Sequence, residues 1–494
     1  MRLQLIYILL FLSLGTRAQL MDWGVPQKLA SRNLYCTFIG FNNDGYYYMR
    51  CKKPDFKNEV MIEKYSHSLR LIWSKTITNE HFGESIQNVL LMKNKLIVLT
   101  ASDNYTSGFT EVKATSINFE GLIAKQYTPL FQLKTSGFYR NEEEATFTFK
   151  INLNDDVFVA CYLTQAEKKQ VGLNYLMFND EFNTVGSGGF AYTAKTERFF
   201  INDIVIYKLH VYSLVSYYET IKKNQDDIYV HDLIIMNNTL KTSYKVPIIL
   251  EGKTQSDIAI TIDSIAKTLQ LTGFYSEKKS TSAAGVAVYT VPLANPENYH
   301  AAFTPFPKEM LSKIIGQKAS ERTNEMEDFV VRQLVPRSDG GMVLIAECFY
   351  IEKQAYNAYT SGIQGVTPQP TMFRNVYNYD EVLVFSLEPN ATIDWWQAII
   401  KKQTSLNDDG YNLSIATLIK KEMLYVFFNQ HYNNSNQILE YQINGNGRMN
   451  NKILFKSSNY YVDFAPRQSC QIANGSLLMP FIKDRKFNLL KLTY

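Results

Sequence analysis

Aromatic side chains that could bind a ligand are grouped in one stretch of this sequence. The chain contains 33 Tyr and 30 Phe among 494 residues, and several of the tyrosines lie among Gly and Pro between residues 351 and 380. Tyrosine rings offer large, rigid contact areas, so this group predicts a sugar- or peptide-binding surface. The alternative is that these tyrosines serve as ordinary strand residues. The candidate binding residues are Tyr356, Tyr359, Arg374, Tyr377 and Tyr379.

Other chemistry-bearing patterns are missing from the sequence. The six histidines are scattered, and there is no HExxH, zinc-type cysteine pair, Gly-x-Ser-x-Gly, phosphate-binding loop or dinucleotide fingerprint. We therefore predict no catalytic residue, no metal site and no cofactor, and we expect binding rather than catalysis. A polysaccharide-acting hydrolase or lyase needs two carboxylates across a cleft, and this alternative stays open. The acidic groups 155–156, Asp339 and 408–409 are interpreted as turn formers.

Five cysteines make an odd count. Cys36 and Cys51 flank the turn 42–45, and a loop that pairs Phe41 with Tyr46 also places the two cysteines opposite each other. Opposed residues of a hairpin are close enough for a bridge, so this pair is a disulfide candidate. Two buried thiols are the alternative. The remaining cysteines lie in apolar runs and are expected as buried thiols, namely Cys161, Cys348 and Cys470.

The first residues resemble a signal peptide. A basic start at Arg2 precedes an apolar run over 3–14, and Thr16 and Ala18 supply the small residues of a cleavage site. We predict cleavage after Ala18 and export to the periplasm, the cell surface or the extracellular space. The apolar run is too short to span the ~30 Å of a membrane, and no later segment is long enough.

Charge gives no reason to expect nucleic acid as a partner. Removal of Arg2 and Arg17 lowers the formal charge from +4 to +2, and the charged residues are dispersed along the chain. The lysine pairs 401–402 and 420–421 are interpreted as solvated strand ends. The expected partner is instead a protein or a glycan.

Residues 145–192 show most clearly the elements that must position these side chains. Phe147, Phe149 and Ile151 alternate with polar residues, which predicts a half-buried strand. A turn over 152–156 leads to an almost continuously apolar second strand at 157–163, and two further strands follow. The pattern predicts a four-stranded antiparallel meander.

Related units recur along the rest of the chain, starting near residues 32, 85, 145, 201, 258, 329, 413 and 468. Such repetition is typical of an all-β fold, a β-propeller of four-stranded blades, in one domain over 19–494. The last unit contains three strands, and the segment 22–29 could supply its fourth and so close the ring. We prefer eight blades; seven blades, or a pair of β-sandwiches, are the alternatives.

Two insertions interrupt the repeats. The first, 304–326, contains a predicted short helix at 307–315, and the second is 351–380, between the second and third strands of unit six. In an antiparallel meander, links between units and loops between second and third strands emerge at the same end. We therefore expect both insertions on one face, at neighbouring blades.

The strings LTGFYS at 271–276, AGV at 284–286 and YDEVLVF at 379–385 resemble uncharacterised exported bacterial proteins with propeller-like repeats. This resemblance implies the fold and export and transfers no catalytic residue. The resulting hypothesis is an exported, non-catalytic binding propeller that recognises a protein or glycan through the face with the insertions. A structural component of a cell-envelope assembly is a further alternative.

Overall fold

The computed structural model describes residues 19–28, 35–53, 59–78, 84–104, 108–134, 147–166, 170–193, 199–219, 228–248, 252–277, 282–356, 372–432, 435–456, 462–483 and 486–494. The signal peptide predicted at 1–18 and the candidate Tyr359 lie outside these ranges. Within them, none of the helices is sufficiently long and apolar to cross a membrane.

The strands form eight antiparallel sheets, as the repeats predicted, and we number these sheets as blades in chain order. β1 (Leu20–Trp23) and β2 (Gln27–Lys28) precede them. Blade one contains β3 (Tyr35–Asn42), β4 (Gly45–Cys51), β5 (Val60–Tyr65) and β6 (Leu71–Ile77), and blade two contains β7 (Glu84–Leu91), β8 (Lys95–Asn104), β9 (Phe109–Asn118) and β10 (Thr128–Lys134). Blade three contains β11 (Phe147–Asn152), β12 (Val157–Ala166), β13 (Gln170–Asn179) and β14 (Thr184–Thr193). Blade four contains β15 (Phe199–Tyr207), β16 (His210–Glu219), β17 (Ile228–Asn237) and β18 (Thr242–Pro247).

The remaining blades repeat the meander, and blade six has an additional strand. Blade five contains β19 (Thr254–Asp263), β20 (Thr268–Ser276), β21 (Gly285–Pro292) and β22 (His300–Pro305). Blade six contains β23 (Phe329–Pro336), β24 (Met342–Tyr356), β25 (Met372–Leu387) and β26 (Ile393–Ile399), with β27 (Gln403–Leu406) as its additional strand. Blade seven contains β28 (Ala416–Lys420), β29 (Met423–Tyr432), β30 (Ser435–Asn444) and β31 (Met449–Lys456), and blade eight contains β32 (Val462–Phe464), β33 (Cys470–Ala473), β34 (Ser476–Lys483) and β35 (Lys486–Thr493). The fold class is therefore all-β, a β-propeller with eight blades.

The apolar alternation explains how these sheets pack. In blade three, Phe149 is buried, and Phe147 and Ile151 pack against the same hydrophobic cluster. That cluster also contains Leu99 of blade two, so it joins two consecutive sheets face to face. Comparable clusters join blades three and four, four and five, five and six, seven and eight, and eight and one. The sheets that these clusters join thus bury their faces against each other, which is how propeller blades are stabilised.

Blade eight is completed from the opposite end of the sequence. β1 pairs antiparallel with β35, with Trp23 opposite Leu490, and β2 pairs with the start of β35. The Trp23 ring lies 5.1 Å from the Phe481 ring, centre to centre. The ring closure predicted for the N-terminal strand is confirmed.

By its internal contacts the chain divides into two compact units. One contains blades one, seven and eight, and the other contains blades two to six. In the second unit, the first strands of consecutive blades, β11, β15, β19 and β23, contact one another in that order.

The first strands share a local irregularity. In blades one, two, four, five and six, one residue of the first strand has no partner across the ladder, which is a β-bulge. In blade one the shift lies between Phe38 and Gly40. A bulge turns the following side chains to the other face of the strand, so register cannot be counted from the turn alone.

This bulge overturns the disulfide prediction. Cys36 lies opposite Arg50, and Cys51 lies opposite Tyr35, because the extra residue displaces the register by one position. The two cysteines are buried thiols. The hydroxyl of Tyr411 donates to Cys36 Sγ over 2.9 Å and accepts from the Cys36 amide over 2.5 Å. Burial raises the pKa of Cys36 to about 12.

The first insertion contains the predicted helix, α1 (Lys308–Ile315), followed by α2 (Gln317–Ser320). Pro307 precedes the first turn, where its missing N–H costs nothing. Met310 and Leu311 are buried in the cluster between blades five and six, and Lys313 lies over the Trp396 ring. The helix therefore extends the apolar core of these two blades.

Candidate functional site

The described parts of the second insertion, 351–356 and 372–380, are strands in continuity with blade six. β24 and β25 contain 15 and 16 residues, whereas β23 contains 8 and β26 contains 7. β23 pairs with β24 only as far as Cys348, and β26 pairs with β25 only from Val382 onwards. The distal parts of β24 and β25 therefore project beyond the four-stranded sheet as a two-stranded hairpin, which we call the blade-six hairpin (residues 349–356 and 372–381).

One edge of this hairpin is covered and the other is open. β27 pairs with β25 from Val376 to Tyr379. On the opposite side, β24 from Tyr350 to Tyr356 pairs with β25 alone among the described residues. An edge strand of this kind presents backbone N–H and C=O groups that can accept a further strand.

Apolar side chains are exposed along the hairpin. Ile351 is 50% exposed, Phe373 66% and Met372 46%. Phe373 lies opposite Ala355, and Ile351 and Ala355 are separated by an even number of positions, so these three side chains share one face. Lys353 and Asn375 form the pair between Ile351 and Phe373 on that face, so exposed apolar and polar side chains alternate beside the open strand edge. Such an edge, with apolar side chains next to it, is available for contact with a partner.

The structure distributes the candidate binding residues between the exposed hairpin and its buried base. Arg374 lies opposite Gln354 and donates from Nε and Nη2 to its Oε1, over 2.8 and 2.6 Å. The backbone of Tyr356 pairs with Met372. Tyr377 is 8% exposed, and its hydroxyl donates to Asp409 Oδ1 over 2.6 Å. That hydrogen bond raises the pKa of Tyr377.

Tyr379 lies in the core at the base of the hairpin. Its side chain is 1% exposed, and its ring centre lies 4.6 Å from that of Phe349. Gly410 adopts a φ of +61°, and a Cβ at this position would lie 2.4 Å from the Tyr379 ring. Tyr379 therefore supports the hairpin from inside, whereas the exposed residues Ile351, Met372 and Phe373 were not selected from the sequence.

A buried group of charges anchors the base of the hairpin. Glu347 is fully buried, and its carboxylate lies 2.7 Å from Arg332 Nε and 2.8 Å from Lys401 Nζ. Arg332 is the extra residue of the bulge in β23, which accounts for its direction towards Glu347. The Arg332 guanidinium lies 5.3 Å from the ring centres of both Phe349 and Tyr379. We call Arg332, Glu347 and Lys401 the blade-six charge cluster.

Lys401 corrects an interpretation from the sequence. It is 4% exposed rather than solvated, and its Nζ donates to the Tyr379 carbonyl over 2.9 Å and to Gln403 Oε1 over 3.0 Å. Burial lowers the pKa of Lys401, and the nearby Glu347 carboxylate opposes that shift. Lys401 directly precedes Lys402 in sequence, and only the pairing of β27 with β25 shows that it is covered.

The turn interpretation of the acidic residues is supported by their hydrogen bonds. Asp408 Oδ1 accepts from the Gly410 amide, and Asp339 Oδ1 accepts from the Gly341 amide, both over 3.0 Å. Asp339 is also paired with Arg337, which lowers its pKa. Among the described residues, no group of three or more His, Cys, Asp or Glu side chains could hold a metal ion.

No protein-family model and no curated protein matches this chain. Solved structures with a similar course include the WD40 domain of SCAP from fission yeast, with a TM-score of 0.40, 8% identity, and coverage of 96% of this chain and 98% of that one. The β-propeller domain of the Trilobed protease from Pyrococcus furiosus gives a TM-score of 0.37 at 11% identity, covering 89% and 97% of the two chains. A Synechocystis apocarotenoid oxygenase gives a TM-score of 0.34 at 10% identity, covering 95% of this chain and 88% of that one. These likenesses are distant, and the fold assignment rests on the strand pairing described above.

Proposed function

We propose that this protein is an exported, non-catalytic binding propeller, and that it captures an extended segment of a partner protein along the blade-six hairpin. The observation that carries the proposal is the open edge of β24 from Tyr350 to Tyr356. An extended peptide can pair with such an edge through its backbone, and neighbouring apolar side chains then provide selectivity.

The side chains around that edge suit a peptide with alternating apolar residues. Ile351 and Phe373 are exposed on one face of the hairpin and Met372 on the other. Successive side chains of an added strand point to alternate faces, so such a peptide could cover both. The charge cluster and the Tyr379 ring below the hairpin hold its base in place, which lowers the entropy cost of binding.

The decisive variant shortens the hairpin without disturbing the blade. Lys353 and Asn375 lie opposite each other, so replacing residues 354–374 with Asn-Gly joins them by a two-residue turn. Wild type and this variant are screened against an immobilised random peptide library and a glycan array. We expect peptide capture by the wild type and its loss in the shortened chain, with the thermal unfolding midpoint unchanged.

A double variant and its control test whether peptide capture needs the apolar face of the hairpin or only exposed hydrophobic residues in general. Ile351→Ser with Phe373→Ser should weaken peptide capture at least about tenfold, since about 1.4 kcal/mol of apolar contact would be lost. Leu153→Ser is the matched control, because Leu153 is 47% exposed in a turn of blade three. Peptide capture that survives in the shortened chain would reject the hairpin as the site. Glycan binding that is lost with the hairpin would reject a protein as the partner and favour a glycan.

The export part of the proposal rests on the sequence of residues 1–18. N-terminal sequencing of protein recovered from outside the cytoplasm should begin at Gln19. Recovery of the unprocessed chain from the cytoplasm alone would contradict export.

A further inference from the structure

Two consecutive charged side chains lie in the middle of the open edge of the blade-six hairpin. Glu352 and Lys353 are both exposed. On β25, Val376 lies opposite Glu352 and Asn375 lies opposite Lys353, so the neighbouring strand places an uncharged residue directly across from each charge. No described strand fills the cross-strand positions on the other side of β24. An added strand would therefore supply the residues directly opposite these two charges on that side.

The pairing of β24 with β25 is regular over this stretch. The shift in register lies between Glu347 and Phe349, and the residues from Phe349 to Tyr356 then pair one by one. A strand added at the open edge continues the same pleat, so its residue opposite Glu352 shares the face of Glu352, and its residue opposite Lys353 shares the other face. Two consecutive residues of a bound peptide therefore meet the two charges separately.

Arg374 adds a positive charge on the face of Glu352, and it is too far away to reverse the preference there. It lies opposite Gln354, to which its guanidinium donates. Because Arg374 is on β25, its backbone is two strand spacings, or about 10 Å, from a strand added to β24. Exposed charges at that separation are largely screened at physiological ionic strength. Glu352 therefore dominates the charge preference on its face.

The order of the two charges on β24 determines the order of charges in the partner. Antiparallel pairing is slightly more stable per residue than parallel pairing, and in that direction the residue opposite Lys353 precedes the residue opposite Glu352. Opposite charges directly across from each other are favourable, and like charges are unfavourable. We propose that the blade-six hairpin selects an extended peptide in which an acidic residue is followed directly by a basic one.

Apolar positions of the peptide follow from the same register. Ile351 and Ala355 lie two positions on either side of Lys353, on its face, and Phe373 lies opposite Ala355. The peptide residues opposite Ile351 and Ala355 meet these apolar side chains, so the selected sequence has an apolar residue two positions before the acidic residue and two after it. This inference rests on the proposed function, since it concerns the same edge, and it adds the sequence of the captured segment.

Two peptides that differ only in charge order test the inference. The first is Thr-Val-Ser-Glu-Lys-Val-Thr, and the second exchanges its Glu and Lys. Fluorescence anisotropy of labelled peptides measures their affinity for the whole protein. We expect the first peptide to bind about tenfold more tightly, because two attractive cross-strand pairs become repulsive in the second. The preference should disappear at about 1 M salt, where screening acts over about 3 Å.

Reversing the charges on the protein should reverse the preference. Glu352→Lys with Lys353→Glu changes two exposed side chains, so the fold should be retained, and this variant should bind the second peptide about tenfold more tightly than the first. Lys308→Glu with Glu309→Lys is the matched control, because these consecutive residues of α1 are also exposed. The control should keep the preference of the wild type.

The outcomes separate this inference from the proposed function. Equal affinity of the wild type for both peptides at low salt, with binding of both lost in the shortened chain, would overturn the charge order and leave peptide capture intact. Tighter binding of the second peptide by the wild type, or the same preference in the charge-reversed variant as in the wild type, would also overturn it. If neither peptide binds and the library yields no ligand, the proposed function fails and the charge order fails with it.

Discussion

Blades one and six each bury a single carboxylate, and they neutralise it in different ways. In blade six, Glu347 is held by two cations, Arg332 and Lys401. In blade one, Glu63 is held by one cation, Arg50, and by the neutral hydroxyl of Tyr65. Both guanidinium groups lie over aromatic rings. The three residues of the blade-six charge cluster therefore sum to one positive charge, which the Tyr379 carbonyl, the Gln403 amide and the nearby Asp380 carboxylate offset. In blade one, the charges of Arg50 and Glu63 cancel.

The two charged groups stabilise different parts of the fold. In blade six, the additional positive charge lies on Lys401, whose Nζ also donates to the Tyr379 carbonyl and to Gln403 within the protein. These contacts join β25 to β27 at the base of the hairpin. In blade one, Arg50 donates to both carboxylate oxygens of Glu63, and its guanidinium lies over the Phe487 ring of β35. One group reinforces a projecting element, and the other joins blade one to the last strand of blade eight.

The largest effect is expected from neutralising the blade-six carboxylate. Glu347→Gln removes the shared counter-charge of buried Lys401 and of Arg332, whose side chain is 25% exposed, so the free energy of unfolding should fall by about 3–5 kcal/mol in a urea titration. Glu388→Gln is the control in the same blade, because Glu388 pairs with Arg337 at a 40% exposed position and should cost less than about 1 kcal/mol. Equal losses in both variants would contradict the anchoring role of the cluster.

An intermediate effect should follow when blade one loses its neutral donor. Tyr65→Phe removes the hydrogen bond to Glu63, and a bond to a charged group contributes about 1.5–3 kcal/mol. The same urea titration measures it. Tyr175→Phe is a suitable control, since the Tyr175 hydroxyl makes only a 3.5 Å contact with Asn238. If Tyr65→Phe cost no more than this control, Arg50 alone would balance Glu63.

The smallest effect is a pH dependence of the free energy of unfolding. We expect it from blade six, where the buried cation Lys401 can lose its proton, and not from blade one, where the cation is the arginine Arg50. Burial lowers the pKa of Lys401 in the folded protein, so above that value the unfolded chain binds more protons than the folded chain. The free energy of unfolding should therefore rise with pH up to about 10.5, the ordinary pKa of lysine. Lys401→Arg keeps the charge but does not titrate there, and should reduce this rise. Urea titrations from neutral pH upwards measure the difference between variant and wild type. An identical pH dependence in both proteins would contradict the lowered pKa.

Much of the fold could be predicted from the sequence because it follows from local patterns. The alternation of Phe147, Phe149 and Ile151 and the apolar run after 156 correspond to β11 and β12, and the same pattern identifies most other strands. The count of three strands in the last unit predicted that the N-terminal segment 22–29 completes the ring, and β1 and β2 do so by pairing with β35. These inferences need only the period of side-chain burial and the rule that sheet edges are paired.

The candidate site was less predictable, because its properties depend on contacts between distant residues. The bulge at Phe38 and Gly40 has no sequence signal that we recognised, yet it moves Cys36 away from Cys51. The 401–402 lysine pair appears solvated until β27 is known to cover Lys401. The tyrosines of the second insertion were grouped by proximity in sequence, but strand pairing places Tyr379 in the core and Ile351 at the surface.

The pairing of β1 with β35 also has a consequence for the order of events during synthesis. Leu20–Trp23 leaves the ribosome long before its partner Lys486–Thr493, because all the strands from β3 to β34 lie between them in the sequence. Until that partner emerges, the apolar side of β34 lacks its neighbour and remains a possible aggregation site. Blade eight therefore cannot be completed until β35 has been synthesised, and a chaperone that shields the nascent chain would be most useful before that point.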